Sequence, residues 1–220
     1  MRFIPAFVLG SLVSLGSCSH APPQMVQVFD QVNHVYDPAA GTWSDRLSVY
    51  LQGASSDGTK VFDRFHLILD DQQIYFSVSR SQWASVDKPG EFWVGASDLS
   101  LPDGKVPVGS WRAVLVTRAG QKVETPFVVT AVAPDAPPAQ TGPVTVKQDP
   151  KDLLRFEVTG WVEDYLVWAR DAQGTVISRN KTVGSSFQVP GGASTVVLYS
   201  YDKARGTGIE AGPFPVQSLH

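Results

Sequence analysis

The chain has 220 residues and a single cysteine, Cys18. With no second thiol no intramolecular disulfide can form, so the fold must be held by its core alone. A basic excess is also missing. Lys and Arg number 18 against 21 Asp and Glu, a formal net charge of −3. That argues against a nucleic-acid partner, because a phosphate-binding surface needs positive charge in excess. Long hydrophobic runs are lacking too, and none approaches the roughly 20 residues that cross a bilayer. Helical periodicity is rare, and Gly or Pro interrupts most stretches that show it. What is plentiful is glycine and proline, 19 and 16 residues, spread along the chain. Such spacing belongs to a turn-rich β protein.

The cysteine has a context. Phe3 to Val13 is apolar, follows Arg2, and leads into Leu15-Gly16-Ser17-Cys18. The run is too short to span a membrane and reads as a cleaved secretion signal. An aliphatic residue, two small residues and then cysteine resembles the signal peptide of bacterial lipoproteins. A peptidase groove needs small side chains beside the scissile bond, and the thiol takes the lipid. The resemblance implies a signal peptide over 1–17, acylation of Cys18 with palmitate among the chains, and a lipidated tether over 18–24. Two or more acyl chains anchor firmly, where one binds only marginally. An ordinary secretory signal would instead leave Cys18 as an idle thiol. In lipoproteins an aspartate after the cysteine often marks retention at the inner membrane. Ser19 therefore points to the outer membrane of a bacterial cell envelope.

Beyond the tether the chain alternates apolar and polar residues in short runs. Leu47, Val49 and Leu51 face one way while Ser48, Tyr50 and Gln52 face the other. Phe65, Leu67 and Leu69 repeat the pattern, and Ile74, Phe76 and Val78 resume it after Asp70-Asp71-Gln72-Gln73. Two period-two runs joined by four polar residues predict a β-hairpin. Trp111–Val116 and Val123–Val129 predict another. Four prolines between Pro134 and Pro143 rule out a central strand and predict a semi-rigid linker over 133–142.

The expected fold is all-β, with one sandwich over 25–132 and a second over 143–218. In the second, Leu154, Phe156 and Val158 alternate, then Tyr165, Val167 and Ala169, then Thr195, Val197, Tyr199 and Tyr201. The stretch Val196 to Gly208 resembles the sixth strand and final turn of fibronectin type III domains. That resemblance implies a seven-stranded sandwich with Trp161 and Tyr199 in its core. No tyrosine stands at the start of that strand, so the tyrosine corner is missing. In the first sandwich, Val108-Gly109-Ser110-Trp111, a glycine-bearing turn and a closing strand resemble bacterial immunoglobulin-like domains. Tandem immunoglobulin- and fibronectin-like β-sandwiches are the resulting expectation.

Catalytic chemistry finds little support. His20, His34, His66 and His220 show no metal-ligand spacing, so neither a metal nor a cofactor is expected. Asp70-Asp71 and Glu163-Asp164 fall at turns, where Asp bonds its own backbone. Ser178-Arg179-Asn180-Lys181 has Ser-x-x-Lys spacing, but it leaves a strand where the chemistry needs a helix start. Gly206-Thr207-Gly208 lacks the helix that follows a phosphate-binding loop. Tryptophan holds more promise. Trp111 is in phase with Ala113 and Leu115 and is expected in the core. Trp43 and Trp83 flank predicted turns, and Trp93 is out of phase with Phe92 and Val94. Exposed tryptophans stack on sugars or anchor interfaces, although each of these three can also cap one end of a sandwich. The expected function is a non-catalytic binding or scaffold module, held to the membrane by its lipid. Its partners would be other envelope proteins or an external ligand. The alternative is a glycan-binding module using Trp43, Trp83 and Trp93. An enzyme is the least favoured reading.

Overall fold

The structure, a computed structural model, describes residues 23–130, 144–148, 153–158, 165–182, 186–203 and 206–216. Cys18, the stretch 133–142, Trp161 and the Glu163-Asp164 pair lie outside the described residues. Those that are described form fifteen strands and two short 3₁₀ turns, with no α-helix among them. The fold is all-β.

Eight strands come from the first part of the chain. They are β1 (Gln24–Asp37), β2 (Thr42–Ala54), β3 (Phe62–Leu69), β4 (Ile74–Ser79), β5 (Ala84–Lys88), β6 (Glu91–Leu99), β7 (Gly109–Thr117) and β8 (Lys122–Val129). The period-two alternation read from the sequence is the alternation of faces. Leu47, Val49, Leu51, Phe65 and Leu67 are wholly buried. Both predicted hairpins form, β3 with β4 and β7 with β8. The first turns through a 3₁₀ segment at Asp70–Gln72 and places Gln73 in the left-handed region, φ 54°.

The rest of the chain supplies β9 (Val144–Gln148), β10 (Leu153–Val158), β11 (Tyr165–Arg170), β12 (Val176–Thr182), β13 (Ser186–Gln188), β14 (Thr195–Asp202) and β15 (Thr207–Pro215). Three sheets result. One of eight strands runs β12-β11-β14-β15-β1-β2-β6-β5. A four-stranded sheet, β4-β3-β7-β8, and a three-stranded one, β13-β10-β9, complete the set. Two cores lie on the inner side of the large sheet. Phe62, Phe65, Phe92 and Trp111 build one, between the large sheet and the four-stranded one. Tyr165, Val167, Phe187, Leu198 and Phe214 build the other, with Phe187 reaching in from the three-stranded sheet.

The seam between the two halves was not foreseen. β1 and β15 pair in parallel, setting Asn33 beside Gly208 and Tyr36 beside Ala211. Tyr36 of the first strand packs on the second core. The large sheet is therefore continuous across both halves.

One strand faces the other way from the sequence expectation. In β14 the core takes Val196 and Leu198, and Tyr199 points to the outer side of the sheet. Val196, Val197 and Leu198 are all apolar and all wholly buried, so periodicity cannot choose the phase there. The phenols decide it. A Tyr hydroxyl in the core would need a buried partner, while outside Tyr199 meets Gln31 of β1.

Candidate functional site

The two cores lie on the inner side of the eight-stranded sheet, and the side chains of its outer side belong to neither core. Cross-strand register shows which side chains share that outer side. Phe29 lies opposite Tyr50, Tyr50 opposite Gly95, and Gln52 opposite Trp93. Across the seam, Trp168, Tyr199 and Tyr201 take the same side. Phe29, Tyr50 and Tyr201 remain 39%, 37% and 46% exposed. Trp93, Trp168 and Tyr199 are half-buried.

The rings form two groups. Phe29 and Trp93 stack with centroids 5.2 Å apart. Tyr50 lies beside them, its hydroxyl sharing a 2.8 Å hydrogen bond with Ser97 Oγ. The Trp93 Nε1–H donates to Glu91, whose same oxygen accepts from Gln52 at 3.3 Å. In the second group Trp168 and Tyr199 stack at 5.0 Å, and the Arg179 guanidinium sits 5.8 Å above the Trp168 ring. The Trp168 Nε1–H is covered yet has no acceptor. Gln31 extends the second group toward β1: its amide nitrogen donates to Tyr199 Oη at 2.7 Å and to Asn33 Oδ1 at 2.7 Å. Burial lifts the Tyr199 pKa above the usual phenol value, and the Gln31 donor works against that rise.

Two glycines make the face flat. A Cβ at Gly95 would collide with the Tyr50 ring and lie 2.5 Å from the Val49 carbonyl oxygen. One at Gly208 would overlap the Asn33 amide and come within 2.9 Å of the Tyr199 ring. Without side chains at these positions the Tyr50 ring lies over Gly95 and the edge of the Tyr199 ring over Gly208.

Of the three tryptophans expected to bind, only Trp93 is on this face. Trp43 is the second residue of β2, on the inner side, 5.1 Å from Tyr36 in a tilted pair. Trp83 packs against the first core, parallel to Phe65 at 6.2 Å. The structure does not bring the three together. Phe29, Tyr50, Trp168 and Tyr199 were missed as site residues. Register was the lacking signal: Trp168 and Phe29 share a face only because β15 pairs with β1.

Charge on the outer face is balanced in its middle, where Arg46 meets Asp98 at 3.5 Å with both exposed. Glu210 is buried there. Its pKa is raised by desolvation first and by Asp98 next, against the pull of Arg170 and Arg46.

The other polar sites have structural partners. His34 Nδ1–H donates to Asp45 at 2.6 Å, and Asp45 accepts the Val106 N–H at 3.3 Å, which ties a loop to β1 and β2. His34 Nε2 is buried with no hydrogen-bond partner. His66 stacks on Tyr75 and bonds its hydroxyl at 2.6 Å. Partial burial first, then Arg64 and Lys122, lower its pKa. A hollow of about 160 Å³ lies beside the seam, lined by Asp30, Gln31, Thr130 and Thr207. No group of three His, Cys, Asp or Glu is placed to hold a metal among the described residues. No protein-family model matches the chain, and no curated protein matches it. Among the described residues no helix is long and apolar enough to cross a membrane.

Proposed function

We propose that this chain is a non-catalytic, lipid-anchored binding module of the bacterial cell envelope, and that it binds through the outer face of its eight-stranded sheet. The observation that carries this reading is the set of six aromatic side chains on one face of the sheet, with Phe29, Tyr50 and Tyr201 exposed. Solvated sheet faces in antiparallel sandwiches ordinarily present polar residues. Rings gathered in stacked pairs there resemble the aromatic anchors of binding surfaces. The anchor reading is supported by Leu15-Gly16-Ser17-Cys18 and its resemblance to lipoprotein signals. Ser19 favours the outer membrane.

Two experiments test the proposal. Detergent-solubilised full-length chain should be retained on isolated envelope fragments. The double variant Trp93→Ala/Trp168→Ala should lose most of that retention. Tyr75→Ala, which alters an exposed ring on the opposite layer, should keep it. Equal retention of all three proteins would exclude the outer face as the binding surface. Separately, Cys18→Ser should shift the protein out of the membrane fraction and abolish palmitate labelling. A serine variant that still labels and stays with membranes would overturn the anchor.

A further inference from the structure

We propose that the ligand of the outer face is a linear glycan of acetamido sugars, lying diagonally across the sheet from Trp168 to Trp93. This rests on the binding role given above and names its occupant.

The layout of the face carries the inference. A protein interface of ordinary size has an apolar centre and a polar rim. Here the order is reversed, with rings at two ends and Gln31, Asn33 and Ser48 between them. A sugar chain fits that arrangement. Each pyranose offers an apolar C–H side to a ring and hydroxyl edges to amides. Gln27, Gln31, Asn33 and Gln52 share the face. Both Gln31 N–H groups are taken by Asn33 and Tyr199 and one Gln52 N–H by Glu91, so Gln31 offers its carbonyl oxygen while the other three can still donate and accept. An acetamido group has the same two functions and pairs with a carboxamide in both directions.

Charge selects further. Between the ring groups the side chains are uncharged, apart from Arg46 and Asp98, which neutralise each other, and Glu210, which is buried. A neutral chain complements that middle; an acidic or basic peptide does not. Size agrees as well. Tyr199 stands in register with Val35 through Glu210, and Phe29 is six residues from Val35 along β1. At about 3.3 Å per residue and about 4.8 Å per strand, the facing members of the two groups, Tyr199 and Phe29, are on the order of 20 Å apart. That distance calls for a chain of several sugars. In a cell envelope the chain with acetamido groups is the glycan strand of the wall.

The probe is chitohexaose, six β-1,4-linked N-acetylglucosamine units, titrated into the solubilised full-length chain and followed by tryptophan fluorescence and calorimetry. Binding should saturate. Trp93→Ala and Trp168→Ala should each weaken it about tenfold, the size of an interface anchor. Gln31→Ala, which keeps every aromatic residue but removes the donor to Tyr199 Oη, should weaken it severalfold. Tyr75→Ala should leave it unchanged, and maltohexaose, which lacks acetamido groups, should bind at least tenfold more weakly. Unchanged near-ultraviolet circular dichroism identifies folded variants, and Trp93→Phe should restore most of the affinity lost in Trp93→Ala. Retention on envelope fragments should vanish after muramidase digestion and survive protease. If chitohexaose does not bind, and retention survives muramidase but not protease, the occupant is a protein. The glycan inference then falls while the binding role stands. If retention ignores both tryptophans, the binding role itself falls.

Discussion

Trp111→Ala should unfold the first half of the molecule, or leave it close to unfolding, in chemical denaturation. Trp111 is fully buried between Phe76 and Phe127, with centroids at 6.2 and 6.3 Å, and its Nε1–H donates to the Pro107 carbonyl at 3.3 Å. Truncating a buried tryptophan costs about 3–5 kcal/mol in lost transfer energy and cavity. A native domain has only about 5–15 kcal/mol in total. The Pro107 carbonyl also loses its donor. No disulfide offsets the damage, because the chain has one cysteine. The expected readout is a fall of the denaturation midpoint at unchanged slope. The exposed Tyr75→Ala should stay within about 0.5 kcal/mol of the parent. A Trp111→Ala protein with the parent's midpoint would show that this core is not where the stability lies.

Gly53→Ala should damage the same core by the opposite route, through one atom too many. A Cβ at Gly53 would collide with the Phe92 ring and stand 2.5 Å from the Gln24 carbonyl oxygen. Phe92 cannot swing away, since it is wholly buried and packed on Phe62 at 4.8 Å. The carbonyl belongs to the β1 backbone. Overpacking typically costs about 1–3 kcal/mol, occasionally more, and a backbone collision belongs at the upper end. A double-mutant cycle separates the two clashes. Phe92→Leu with Gly53→Ala should be less destabilised than the sum of the singles, because the ring clash is relieved and the backbone clash remains. Additive effects, within about 0.5 kcal/mol, would show that the Phe92 ring is not what excludes the methyl group.

Local pattern carried much of the fold. Leu47, Val49, Leu51, Phe65, Leu67 and Leu69 announce strands because a half-covered sheet needs apolar residues at every second position, and all six are buried. Both early hairpins were legible from the polar residues at their turns. Trp93 was legible as outward because it breaks phase with Phe92 and Val94. The pattern failed where both phases are apolar, as in Val196, Val197 and Leu198, and Tyr199 was assigned to the wrong side. It was silent on the seam, because Asn33 and Gly208 carry no local sign of one another. The candidate site was hidden for that reason. Its two ring groups are far apart in sequence and share a surface only through a long-range strand pairing.

That pairing also sets the order in which the molecule can be completed. During synthesis β1 emerges long before β15. Until Thr207–Pro215 arrives, one side of β1 keeps unpaired amides and carbonyls over Asn33–Tyr36. An open strand edge is a template for pairing with other chains, and contacts this distant in sequence form slowly. The nascent β1 therefore travels with an unfinished border until β15 closes it.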